Sequence, residues 1–155
     1  MVIQVDKREQ ANQHIIDFFD KSKIQHESKS LTTGDYSFYI KKCPELGIMW
    51  DWWADNLFLE RKANLNELAN NLKEERFFNE IKRTIDFKHK FLVIENGSWE
   101  DILLHNYQSQ YSEKAFYSQM IKLMAKYDIK IIFTKNTGLM IYQICRWVLE
   151  LEILK

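Results

Sequence analysis

Glu60 and Lys62 stand two residues apart in Leu59-Glu60-Arg61-Lys62. In an extended strand alternate side chains share a face, so Glu60 and Lys62 point one way while Leu59 and Arg61 point the other. Gly34-Asp35 upstream offers a second carboxylate. If its strand lies beside the first in one sheet, two acids and a lysine surround one small volume. Two carboxylates about 4 Å apart repel by roughly 4 kcal/mol at an effective dielectric near 20, and an ammonium offsets only part of that. A divalent cation supplies the rest, since Mg²⁺ takes one or two carboxylates together with waters and phosphate oxygens. Lys62 would hold or deprotonate the attacking water, a role lysines take when burial or a nearby metal loosens their proton. That set suffices for metal-assisted hydrolysis of a phosphodiester. The alternative is a surface ion pair on an edge strand, which is what an isolated Glu-x-Lys usually is.

The pair is not isolated. Val5-Asp6-Lys7-Arg8-Glu9, then Leu31-Thr32-Thr33-Gly34-Asp35-Tyr36, then Leu59-Glu60-Arg61-Lys62 with Leu65 and Leu68 occur in that order. Together they resemble the nuclease domain of the XPF family of structure-selective DNA endonucleases, whose pattern is Gly-Asp, a variable gap, Glu-Arg-Lys, three residues and Asp. The likeness continues through Arg76-Phe77, Glu80, Arg83, and Phe91 to Ile94 with Glu95 and Gly97, most of the chain. It implies an α/β fold of the restriction-endonuclease-like kind, a mixed central sheet flanked by helices, and cutting of flapped, forked or branched DNA. By the same resemblance Asp35 and Glu60 bind Mg²⁺ or Mn²⁺, with the backbone carbonyl of Arg61 as a third ligand, and Lys62 positions or activates the water. One position departs from the pattern: Asn66 stands where the family has its last Asp, keeping the hydrogen-bonding shape and losing the charge.

Composition sets the outer limits. A chain of 155 residues with 46% hydrophobic content is long enough to bury a core as one domain. Lysine plus arginine and aspartate plus glutamate both number 22, so no global field draws in a polyanion. DNA binding must come from a local patch and be salt-sensitive. The two cysteines, Cys43 and Cys145, lack metal-ligand spacing and suit a reducing cytosol. No secretory leader or membrane-length apolar run is visible, so the expected setting is soluble and intracellular.

The elements that would hold these groups alternate between strand and helix. Val2 to Val5 reads as a strand, with Asp6 to Glu9 beyond its carboxyl end, where sites gather in open α/β sheets. Asp6 is there either a further acid near the metal or the cap of the next helix, with Glu9 as its partner. Arg8 is placed to meet phosphate. A helix from Gln10 to Ser22 turns Ile15, Ile16 and Phe19 inward, and His14 lies on its surface. Ile24 to Ser30 is a solvated edge strand. Gly34 turns the chain so that Asp35 opens the strand Tyr36 to Ile40.

Pro44 to Gly47 reads as a hairpin turn, Ile48 to Trp53 as the returning strand, and Leu57 to Lys62 as the third strand of a meander. Alternation turns Trp50 and Trp52 toward the core and leaves Trp53 as the aromatic that could stack on an unpaired base. Asn64 caps a helix bearing Leu65, Leu68 and Leu72, with Glu67 three residues on. The next helix, Glu74 to Phe87, places Phe77, Phe78, Ile81 and Ile85 inward. Its other side shows Arg76 and Arg83, which the resemblance sets against phosphate and which are otherwise a solvated charged face.

Lys90 to Glu95 reads as a buried strand. Ser98 caps a helix with Trp99, Ile102 and Leu103 inward. Tyr111 to Tyr127 forms another helix and Ile129 to Thr134 a last strand, and Thr137 caps a final helix. Apolar residues cover more of that helix than one buried face needs, which points to a homodimer through it. Family members commonly pair through this domain. All four glycines are placed outside any helix-hairpin-helix, so a bare nuclease domain is expected, of a size that suits a phage or mobile element. Two other classes remain open, a non-cutting DNA-binding module and a protein-interaction subunit.

Overall fold

The structure, a computed structural model, describes residues 1–154. In chain order its elements are β1 (Val2–Asp6), α1 (Gln13–Lys21), β2 (His26–Lys29), β3 (Tyr36–Ile40), β4 (Trp52–Trp53) and β5 (Leu57–Asn64). There follow α2 (Leu65–Leu72), α3 (Glu75–Arg83), β6 (His89–Asn96), α4 (Trp99–Leu103), α5 (Glu113–Ala125), β7 (Lys130–Phe133) and α6 (Thr137–Glu152). Contacts divide the chain into two compact units, Met1–Phe58 with Asn136–Lys155, and Leu59–Lys135. The α/β expectation holds, with helices packed on sheets in both.

In the first unit β1 is parallel to β2 and antiparallel to β3, and β4 adds to the far edge of β3. All five residues of β1 are buried, as a strand covered on both faces should be. Tyr36, Phe38 and Ile40 are buried while Ser37 and Tyr39 are half-buried, the period of two that lets a strand present one face to a core. Helix α1 buries Ile15 and Phe19, four residues apart on one face. It packs against α6, which also packs on β3. Gly138 permits that closeness, because a Cβ there would fall 2.7 to 2.9 Å from the Phe18 side chain.

In the second unit β6 lies between β5 and β7 and is parallel to β7. Leu92, Val93 and Ile94 form its buried middle. Helix α2 begins as its sequence requires: Asn64 Oδ1 accepts from the Glu67 N–H at 2.9 Å and Glu67 Oε2 from the Ala63 N–H at 2.9 Å. The first satisfies a donor of the opening turn that the helix cannot satisfy itself, and the second ties the Glu67 side chain back to the end of β5. Ser98 starts α4 in the same way, accepting from Asp101 N–H at 3.1 Å. Helix α2 packs on α3 and α5, and α4 on α5. Among the described residues no helix is long and apolar enough to cross a membrane.

Several expected boundaries shift. The meander does not form: β4 is only two residues long, and β5 joins β6 in another sheet. A 3-10 turn at Pro44–Leu46 and a bridge between Cys43 and Ile48 pinch off the loop, and Lys42 N–H donates to Asp51 Oδ1 at 2.9 Å. Residues before Trp52 therefore never reach the ladder. Helix α1 starts at Gln13, with Asn12 rather than Asp6 at its N-cap. Helix α3 stops at Arg83, where Thr84 Oγ1 donates to the Ile81 carbonyl at 2.8 Å, and this leaves Ile85 exposed instead of inward. Leu103 is likewise exposed, because α4 has too few turns to bring it back to the core. Asn136, not Thr137, occupies the N-cap of α6.

Candidate active site

The second unit holds the acid and the amine side by side. Glu60 and Lys62 lie on one face of β5, with Lys62 Nζ 4.0 Å from Glu60 Oε1 and less than a tenth of either side chain exposed. That distance is the long limit of an ion pair, so the two are neighbours without forming a tight hydrogen bond. The ring of Phe77, on α3, lies 5.1 Å below Lys62 Nζ. This contact narrows the arc through which the amine can move. On the other face Arg61 Nε donates to Glu95 Oε1 at 2.9 Å, both side chains being nine-tenths buried or more. Arg61 thus pairs with an acid on one side of β5, while Glu60 and Lys62 stand together on the other.

In the first unit Asp6 and Asp35 are neighbours across strands, the Asp6 N–H donating to the Asp35 carbonyl at 2.8 Å. Gly34 precedes Asp35 with φ of +74°, a backbone angle that side chains disfavour. The Asp6 carboxylate is fully engaged: Oδ2 accepts from Arg8 N–H and Nε at 3.2 and 2.9 Å, and Oδ1 from Leu31 N–H at 2.9 Å. Burial pushes its carboxyl up. The Arg8 guanidinium and the Leu31 and Arg8 N–H groups outweigh that and hold it below the usual value. Asp6 therefore fastens Arg8 and the loop before Gly34, and Arg8 also reaches the Leu31 carbonyl at 3.1 Å while staying mostly exposed.

The remaining candidates are spread out. Arg76 and Arg83 are exposed on α3, seven residues or about 10 Å apart on one side of the helix. Arg76 lies 3.7 Å from Glu74. Trp53 is 43% exposed, its ring stacked on Tyr39 across the β3–β4 ladder. Trp50, expected in the core, is the more exposed at 74%, because the pinched loop removes it from any strand. Asn66 Oδ1 accepts from the N–H groups of Gln108 and Ser109 at 2.6 and 3.0 Å. Its position is thus used to pin a loop, a task that needs an acceptor and no charge. Sequence reasoning missed that loop altogether.

Asp35 belongs to the first unit, and Glu60 with Lys62 to the second. Among the described residues no three His, Cys, Asp or Glu side chains form a ready-made metal cage. A hard cation such as Mg²⁺ does not need one, since one or two carboxylates with water and phosphate oxygens complete its shell. Glu60, a buried carboxylate beside an ammonium, is a donor of that type.

The sequence matches the model of the ERCC4 domain over residues 5–146. The fold is similar to that of XPF from Aeropyrum pernix, with a TM-score of 0.68 at 22% identity, covering 96% of this chain and 65% of that one. XPF from Aeropyrum pernix in complex with DNA is similar at a TM-score of 0.65 and 21% identity, with the same coverage. The chain thus spans 65% of the length of the solved chains it matches. No curated protein matches it.

Proposed function

The chain belongs to the ERCC4-domain family, and on that footing we propose that it is a divalent-metal-dependent DNA endonuclease that hydrolyses phosphodiester bonds, preferring flapped, forked or branched substrates. The observation that carries the reading is the buried Glu60–Lys62 pair, 4.0 Å apart on one face of β5, with Phe77 beneath the amine. Holding a charged pair out of water costs free energy, and apolar residues in its place would fill the same space without that cost. Mg²⁺ or Mn²⁺, held by Glu60 and the Arg61 carbonyl with Asp35 as the motif's other acid, would supply Lewis-acid charge at a phosphate oxygen.

The chain's own residues do the rest. Lys62 Nζ donates a hydrogen bond that orients the attacking water, whose proton passes to solvent, and its positive charge favours the extra negative charge on the oxygens of the five-coordinate phosphorus. Arg61, tied to Glu95, keeps β5 from rotating and so keeps Glu60 and Lys62 on the reacting side. Arg76 and Arg83 on α3 and Arg8 on the loop after β1 receive backbone phosphates, and Trp53 stacks on an unpaired base. Asp6 acts by holding Arg8.

Leu139, Trp147 and Leu151 are exposed on α6. We assign this face to pairing with a second copy of the chain, checked by mass in solution across micromolar concentrations. The competing reading, a DNA-binding module that does not cut, leans on the missing charge at Asn66. Incubation of duplex, flap and fork DNA with the protein in Mg²⁺, Mn²⁺ or EDTA decides between them. Cutting of branched DNA that EDTA stops supports the nuclease. Binding to forks with intact DNA in both metals supports the rival.

A further inference from the structure

Asn64, Asn66, Asn96 and Asn106 line one cavity of about 370 Å³ in the second unit, together with Tyr107 and Lys135. Each asparagine gives half of its amide to the protein. Asn64 Oδ1 and Asn66 Oδ1 accept from backbone N–H groups, of Glu67 for the first and of Gln108 and Ser109 for the second. An N–H can only donate, so those oxygens are fixed in place and the Nδ2 groups remain as donors. Asn96 Nδ2 donates to the Ala63 carbonyl at 3.1 Å and Asn106 Nδ2 to Asp101 Oδ1 at 3.0 Å. Their Oδ1 atoms remain as acceptors. The residues that line the cavity therefore leave free two amide donors, two amide acceptors and one ammonium, with the Asp101 carboxylate, the Tyr107 ring and the Leu65 side chain beside them.

Its place is as telling as its chemistry. Asn64 ends β5, Asn96 ends β6 and Lys135 follows β7, so the cavity opens at the carboxyl ends of three strands, where open α/β sheets bind ligands. Asn64 also lies on the same face of β5 as Lys62, two residues or about 7 Å further along.

A bare phosphate does not suit this lining. The two amide acceptors would meet its oxygens, and the Asp101 carboxyl stays charged because hydrogen bonds from Asn106 and Ser98, together with Lys135, hold it below its usual value. A nucleobase edge does suit it, since it carries donors and acceptors together and a flat apolar face. The base must be unpaired, because pairing hides that edge. We propose that this cavity binds the base of an unpaired nucleotide next to the phosphate being cut. The choice of DNA as the source rests on the nuclease reading, while the amide pattern stands without it.

The test separates the two. Ligand-observed saturation-transfer NMR is run with each deoxynucleoside monophosphate and, as the control, deoxyribose 5-phosphate, on wild type, Asn106→Leu and Tyr107→Leu. Folding of each variant is checked by its melting curve, and Lys135→Met, a surface change, serves as a third variant. Transfer to base protons in wild type, no binding of the sugar phosphate, and about tenfold weaker binding in the variants support the proposal. Equal binding of sugar phosphate, or variants that bind nucleotides as wild type does, overturns it. DNA cleavage is measured on the same samples. Cleavage with no base binding removes the cavity proposal alone, and base binding with no cleavage removes the nuclease reading alone.

Discussion

Arg61 Nε donates to Glu95 Oε1 at 2.9 Å on the side of β5 opposite Glu60 and Lys62. One buried ion pair therefore fixes which way the neighbouring Glu60 and Lys62 face. Removing one partner strands a buried charge. Glu95→Ala should lower unfolding stability by about 3 to 5 kcal/mol, whereas the double change Arg61→Met with Glu95→Leu should be near neutral. Chemical denaturation of the two variants beside wild type checks this, and equal losses in single and double would show that the pair has no such role.

Asp6 should matter for stability through the loop it holds. Its folded carboxyl lies below the ordinary value of 3.8. A depressed carboxyl contributes stability above its unfolded value, and this is lost as pH falls through the folded value. Asp6→Ala should cost about 2 to 3 kcal/mol at neutral pH, and its deficit against wild type should shrink in acid. Denaturant melts from neutral to strongly acid pH measure it, and a deficit that stays constant with pH would contradict the assignment.

His105 and Glu113 predict a second pH dependence with the opposite sign at its alkaline end. His105 Nδ1 lies 2.9 Å from Glu113 Oε2 and Nε2 2.8 Å from the Ser109 carbonyl. Both partners only accept, so this arrangement favours the doubly protonated ring. The Glu113 hydrogen bond, then the Ser109 carbonyl, hold the imidazole above 6.5, and the same His105 bond holds Glu113 below 4.5. Stability from His105 is full below 6.5 and lost as pH rises through its raised value. That from Glu113 is full above 4.5 and lost as pH falls through its lowered one. Thermal melts should show wild type losing stability on the alkaline side more than His105→Gln does. Parallel curves would refute it.

Asn66 needs an acceptor more than a charge. Asn66→Asp should keep both bonds to Gln108 and Ser109 and cut DNA within about threefold of wild type. Asn66→Ala should lose about 1 to 3 kcal/mol by leaving those N–H groups without their partner. Cleavage rates and melts of the two variants check this. A large rise in cutting with Asn66→Asp would show instead that the site lacks a carboxylate.

Much of this was readable from local pattern. The strand Tyr36–Ile40 follows from alternation, the start of α2 from Asn64 and Glu67, and the two-faced character of β5 from the order Glu60, Arg61, Lys62. Where pairing partners are distant, pattern fails. Ile48 to Trp53 reads as a strand because its apolar residues recur, yet the Asp51 bond to Lys42 and the Cys43–Ile48 bridge take most of it out of any ladder. Ile85 and Leu103 continue a helical period beyond the residues where their helices stop. The asparagine cavity had no readable spacing at all, since residues 64, 66, 96 and 106 meet only after three strands are in place.

The central claim is that Lys62 serves the cut and not merely the fold. Single-turnover cleavage of end-labelled flap DNA in Mg²⁺, run beside a binding measurement in EDTA, tests it most directly. Lys62→Ala should cut at least about a hundredfold more slowly than wild type while binding within about threefold. A variant that cuts at the wild-type rate would contradict the account.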